Sequence, residues 1–286
     1  MMGGFVGRLL AWWCALACGA ALLHAAPAQA QSPLNWLHDL AGDSQISGRD
    51  FFAAALIASG VEDECELPGW IHYYAEQRQK VLANVDSGSP ADRLRAIHAA
   101  LHARILTGKY QTTASDLRLA LGEGDFNCLS ALAIYFDLCQ SAGLDVEIWM
   151  TRGHVYLCAS QDGETVMIEP GSPHWNARQL PSSARARQLS PAALLAKFYY
   201  NRGIGLLEDH QFAAGLDLLK TSLALDPEDG DARANLVAGL NNWAVDHCRA
   251  QRYRDAAPLI QQGLLLDPCF APLVANERLV HARLSE

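Results

Sequence analysis

No Cys-x-x-Cys occurs in this chain, although it holds eight cysteines. That absence removes a zinc site of the common kind and a disulfide scaffold. Basic residues are scarce: 22 Lys and Arg stand against 31 Asp and Glu. Nucleic acid and anionic membrane are therefore poor partners. Beyond the first 30 residues no stretch is apolar enough to span a bilayer, so no stable membrane span is expected. His98 and His102 stand four apart, a spacing that can bind metal, but no third ligand is evident and no Glu follows His98 directly. Helix packing or a surface position explains the pair. Glu62-Asp-Glu-Cys-Glu66 lacks the oxygen ligands and the Gly turn that calcium needs, and reads as a solvated loop. His72, His210 and His247 have no identifiable partners. No metal and no cofactor is expected.

What is present begins with a secretion signal over residues 1–30. Arg8 supplies the positive segment, Leu9 to Leu23 the apolar core, and Ala28-Gln-Ala30 the cleavage site, with the cut before Gln31. His24 and Pro27 break the apolar run. Cys18 after Ala17 invites lipoprotein anchoring, but Ala15-Leu16-Ala17 matches that signal poorly, and a periplasmic location is preferred. The mature chain of 256 residues carries 21 basic against 31 acidic groups, enough length for one sizeable domain and an appendage. Six cysteines remain: Cys65, Cys128, Cys139, Cys158, Cys248 and Cys269. Cys128 and Cys139 would stand roughly 16 Å apart on one helix and cannot join. A bridge between Cys139 and Cys158 is open.

Residues 33 to about 120 read as helical. Candidates run from Phe51 to Ala58 and from Trp70 to Val85. A third begins at Ser89-Pro90-Ala-Asp92, with Ser as N-cap and Pro at the first helical position, and carries Leu94, Ile97, His98, Leu101 and Ile105 toward Gly108. Three short strands follow between residues 145 and 170, so the class is α+β. Gly171 to Pro191 has little periodicity and reads as a connector, packed through Trp175, with His174 as a surface group.

The chemistry lies in an ordered trio. Cys128 in Gly124-Asp-Phe-Asn-Cys-Leu-Ser-Ala131 opens an apolar-periodic helix, whose positive N-terminus favours thiolate. His154 in Arg152-Gly-His-Val-Tyr-Leu157 begins a strand, and Glu169 in Met167-Ile-Glu-Pro170 ends the next. Asp162-Gly163 between them is a two-residue hairpin signal. If it is the loop, opposed residues have numbers summing to 325. His154 then faces Gly171, with Glu169 one diagonal step away on the same face. The carboxylate can orient the imidazole, and the imidazole can hold the thiolate. Asn127 is either a second oxyanion donor or, preferably, the helix N-cap.

That order resembles the transglutaminase-like superfamily of cysteine enzymes. The matching residues are Cys128 with Ala131, Ala142-Gly143-Leu144, the strand Val146-Glu-Ile-Trp149, Gly153-His154-Val155 and Glu169-Pro170, within roughly residues 90 to 175. Leu129 stands where many members carry an aromatic, and Glu169 where many carry Asp. The resemblance implies a papain-like cysteine domain, with a helical N-terminal part and a small antiparallel sheet, over residues 31–175. It also implies Cys128, His154 and Glu169 as the catalytic residues and a peptide or protein amide as substrate.

After a linker over 176–192, the chain repeats at an offset of 41. Phe212 matches Tyr253, Gly215 matches Ala256, Leu219 matches Ile260, and Leu225-Asp226-Pro227 matches Leu266-Asp267-Pro268. This resembles tetratricopeptide repeats, so residues 193–286 are expected to form an all-α hairpin array able to hold a protein partner. The seven residues beyond the usual period of about 34 are expected to lengthen the first helix of the second repeat. Residues 270–284 would close the array. Two readings follow. One is an exported thiol enzyme acting on amide bonds, by hydrolysis rather than transamidation. The other is an inactive triad domain serving as a scaffold for protein partners.

Overall fold

The computed structural model describes residues 48–285 apart from 86, 152, 162–163 and 180–185. The expected secretion signal and Cys18 lie outside the described residues. Among the described residues five helices come first: α1 (Gly48–Ser59), α2 (Leu67–Leu82), α3 (Pro90–Arg104), α4 (Leu117–Gly122) and α5 (Cys128–Ser141). Then come β1 (Glu147–Thr151), β2 (His154–Gln161), β3 (Glu164–Ile168), β4 (Ala177–Gln179) and β5 (Arg187–Leu189). Five helices close the chain: α6 (Pro191–Glu208), α7 (Phe212–Leu225), α8 (Gly230–Arg249), α9 (Tyr253–Leu266) and α10 (Ala271–Ser285). The class is mixed, helical with one small antiparallel sheet.

Local chemistry fixes the helix starts. Ser89 and Asp92 form a reciprocal capping box around Pro90, so α3 begins where the Ser89 and Asp92 N–H groups find side-chain partners. The short α4, which no hydrophobic period announces, is nucleated by Asp116 accepting from the Arg118 N–H. Helix α5 is apolar on nearly every side, and every residue from Leu129 to Cys139 is buried. A helix of that kind belongs in the centre of a core. There it meets α1, α3 and β2. Leu132, Ile134, Leu157 and Ile168 are all completely covered.

The sheet order is β4-β3-β2-β1-β5, antiparallel throughout. Leu157 faces Ile168 and Gln161 faces Glu164, so opposed residues sum to 325. The segment read as a connector packed through Trp175 supplies both edge strands, β4 and β5. Each edge strand has three residues, too short to show alternation, and each is formed by borrowing the ladder of its neighbour.

The boundary at residue 193 also needs amending. The first half of α6 is part of the main core through Leu194, Leu195 and Phe198, all fully buried. Its second half turns to α7, where Gly203 and Gly215 meet so closely that a Cβ on either would lie about 3 Å from the other's carbonyl oxygen. Helix α6 thus belongs to both units. Helices α7 and α9 start and end 41 residues apart, and the intervening α8, at 20 residues, holds the extra length. Two ion pairs anchor the array. Arg187 on β5 grips the buried carboxylate of Asp226 through both guanidinium nitrogens, one at 2.9 Å. Lys197 reaches Asp229 at 2.6 Å inside the seam.

No helix among the described residues is long and apolar enough to cross a membrane.

Candidate active site

Asn127 decides where α5 begins. Its side-chain oxygen accepts from the Leu129 and Ser130 N–H groups, and Ser130 Oγ accepts from the Asn127 N–H in return. Cys128 is therefore the first residue of α5, at the positive end of the helix dipole. The Asn127 amide nitrogen donates to the Thr112 carbonyl at 3.1 Å, and the residue is buried. Asn127 is engaged as the N-cap, the role preferred for it over a second oxyanion donor.

A second strap comes from the preceding loop. Gly108 and Gly124 lie backbone to backbone, with the Gly108 N–H donating to the Gly124 carbonyl, and a Cβ on either would fall under 3 Å from the other's backbone. Only glycine tolerates that approach. The contact lets Tyr110 pair with Phe126, and Asp125 accepts from the Lys109 N–H at 2.7 Å and from the Gln111 side chain. The result delivers the Tyr110 hydroxyl to the Cys128 thiol and backbone N–H. Tyr110 was invisible in the sequence, because its loop has no period and its position depends on a contact sixteen residues away.

His154 starts β2 opposite Thr151. Its ring is in hydrogen-bonding contact with the Cys128 thiol. Its Nε2 lies 3.8 Å from Glu169 Oε1. Gly171 lies against the Cys128 backbone and the Tyr110 ring, so the loop after Glu169 closes one wall of the site. The three residues singled out from sequence are thus brought together: Cys128 and His154 directly, Glu169 behind the imidazole.

The electrostatics follow from those contacts. Burial pushes the Cys128 thiol up. The hydrogen bond and charge of His154, the Tyr110 hydroxyl and the Val155 N–H more than offset it, and the net displacement is downward. His154 moves the opposite way. The Cys128 hydrogen bond raises it and burial opposes; the Cys128 and Glu169 charges add to the rise, and Arg178 subtracts from it. A thiol displaced down beside an imidazole displaced up means that each group favours the charged form of the other. All six described cysteines are free thiols. Burial drives the Cys139 and Cys248 thiols up, and the Cys158 thiol up to about 11.

The His98 and His102 pair serves the site from below. His102 Nε2 contacts the Pro170 carbonyl at 2.8 Å, and Trp175 meets His98 edge-on at 5.4 Å. They support the loop that carries Glu169. No cluster of three or more His, Cys, Asp or Glu suited to a metal occurs among the described residues. The acidic loop is less free than expected: Glu62 pairs with Arg202, and Glu66 with Arg118 at 3.7 Å. His174 is exposed, as a loop histidine should be.

No protein-family model matches this chain, and no curated protein matches it. Among solved structures it is similar to menin, described by a crystal structure that reveals the binding site for Mixed Lineage Leukemia protein. The two share 10% identity and a TM-score of 0.44, over 82% of this chain and 69% of that one. A likeness at that level carries neither fold nor function across.

Proposed function

We propose that this chain is an exported thiol enzyme of transglutaminase-like type, acting on amide bonds of peptides or proteins through Cys128, His154 and Glu169. The observation that carries the reading is the placement of Cys128 at the first turn of α5 with the His154 ring on its sulfur and Glu169 beyond the ring. A buried cysteine kept only for packing would have no reason to be so surrounded.

The chemistry follows a Cys-His-acid site. The Cys128 thiolate attacks the amide carbonyl carbon, and the carbonyl oxygen becomes the oxyanion. The Cys128 N–H, which meets the Tyr110 hydroxyl in the free site, would donate to that oxygen once the substrate displaces the hydroxyl. The His154 imidazolium gives its proton to the departing amine as the tetrahedral species collapses to a thioester. Water then enters, His154 takes its proton, and Cys128 leaves as thiolate. Glu169 balances the charge of the ring, and would orient it on closing to hydrogen-bond distance of Nε2. An amine in place of water would give transamidation by the same steps; hydrolysis is the reading adopted. The tetratricopeptide-like array over α6–α10 would present the protein substrate or a partner.

A scaffold without catalysis has one observation in its favour: the nearest cation to Glu169 is Arg178, not His154. The two readings part on a single assay. Mature protein is incubated with peptide and isopeptide libraries, and amine release is compared with Cys128→Ala. Release that depends on Cys128 supports the enzyme; equal, background release from both proteins overturns it.

A further inference from the structure

Glu169 faces two cations. Its Oε1 accepts a hydrogen bond from Arg178 Nη2 at 2.7 Å but lies 3.8 Å from His154 Nε2. The second distance is too long for a hydrogen bond. We infer that Arg178 is a positioning residue that withholds the Glu169 carboxylate from His154 and so restrains the charge of the imidazole. Its catalytic consequence rests on the thiol chemistry proposed above; its geometry does not.

The topology explains why Arg178 can do this. Strand β4 pairs with β3, and Arg178 stands opposite Met167. Glu169 is therefore its diagonal neighbour on the same face, within reach of a long side chain. Just over half of the Arg178 side chain is exposed, so the guanidinium is held by Glu169 rather than by burial.

Among the described residues, the charges around His154 can be named one by one. Cys128 faces it from the start of α5, Glu169 from the end of β3 and Arg178 from β4, while Tyr156 stacks beside it from its own strand. Cys128 and Glu169 favour the imidazolium, and Arg178 disfavours it. Arg178 acts twice, by its own positive charge and by occupying the oxygen that would otherwise close on Nε2. Arg178→Gln removes both effects and leaves β4 its backbone ladder.

The test is an NMR titration of the His154 imidazole in the mature chain, with Arg178→Gln, Glu169→Gln and the double variant. Arg178→Gln is expected to move the His154 midpoint up. The same substitution in the Glu169→Gln background is expected to move it less, because only the loss of the Arg178 charge remains. An unchanged or lowered midpoint overturns the inference, and so does an equal rise in both backgrounds. Iodoacetamide labelling of Cys128 in the same samples separates the two proposals. Fast labelling with no rise in midpoint sinks the role of Arg178 alone. A raised midpoint beside a thiol no faster than free cysteine sinks the enzyme reading and leaves the Arg178 clamp standing.

Discussion

His98 and Asp137 should give this protein two large and opposed responses to acid. His98 is 2% exposed, its Nε2 has no partner, and burial, helped by the His102 charge, pushes it down to about 4. Unfolded, it would titrate near its usual value of about 6.5. Between those values the unfolded chain binds more protons, so stability is full above pH 6.5 and falls as the pH drops. From pH 7 to pH 5 the loss comes to about 2 kcal/mol. Asp137 is wholly buried on α5. Burial raises it to about 6, against the Tyr74 hydroxyl at 2.7 Å and the Arg78 guanidinium at 3.3 Å. Here the folded chain binds the extra proton, so stability rises as pH falls through 6, by about 1 kcal/mol over the same interval. The wild-type change is the small remainder. Urea unfolding at pH 7 and pH 5 would separate the terms, because any constant cost of a substitution cancels in the difference. His98→Phe should become more stable at pH 5 than at pH 7, relative to wild type, by about 2 kcal/mol. Asp137→Asn should lose about 1 kcal/mol on the same comparison. A His98→Phe response parallel to wild type would refute the buried neutral histidine.

The remaining predictions concern the cap, the seam and the imidazole. Asn127→Ala removes the acceptor for two N–H groups and the tie to Thr112, and should cost about 2 kcal/mol in a urea melt. A loss under a few tenths would mean the cap does not hold α5. Arg187→Met strands the buried Asp226 carboxylate at the junction of sheet and array, and should cost about 2 kcal/mol. Arg187→Met with Asp226→Asn should recover part of that loss, and no recovery would show that the pair is not coupled. Arg178→Gln should raise the His154 titration midpoint, read by NMR as described above.

The trio was legible because its pieces are local. The Asp162-Gly163 signal in the sequence predicts a register that places His154 and Glu169 on one face, and the ladder from Leu157–Ile168 to Gln161–Glu164 has that register. The start of α3 was legible for the same reason, since Ser89, Pro90 and Asp92 act within one turn. What could not be read depends on partners remote in the chain. Strands β4 and β5 exist because β3 and β1 offer ladders to them. Tyr110 reaches Cys128 because Gly108 meets Gly124, and Arg178 reaches Glu169 across a strand pair that three residues cannot announce. Helix α6 reads as part of the array because its second half packs on α7 through Gly203. Its first half was claimed by the core through Leu194 and Phe198, which any buried helix would carry.

The most direct test of the central claim is the pH dependence of Cys128 alkylation by iodoacetamide in the mature protein, beside His154→Ala. The account predicts rapid labelling below about pH 7, well under the ordinary thiol value of about 8.5, and its loss with the histidine. Slow labelling that follows the ordinary thiol titration and is indifferent to His154→Ala would contradict it.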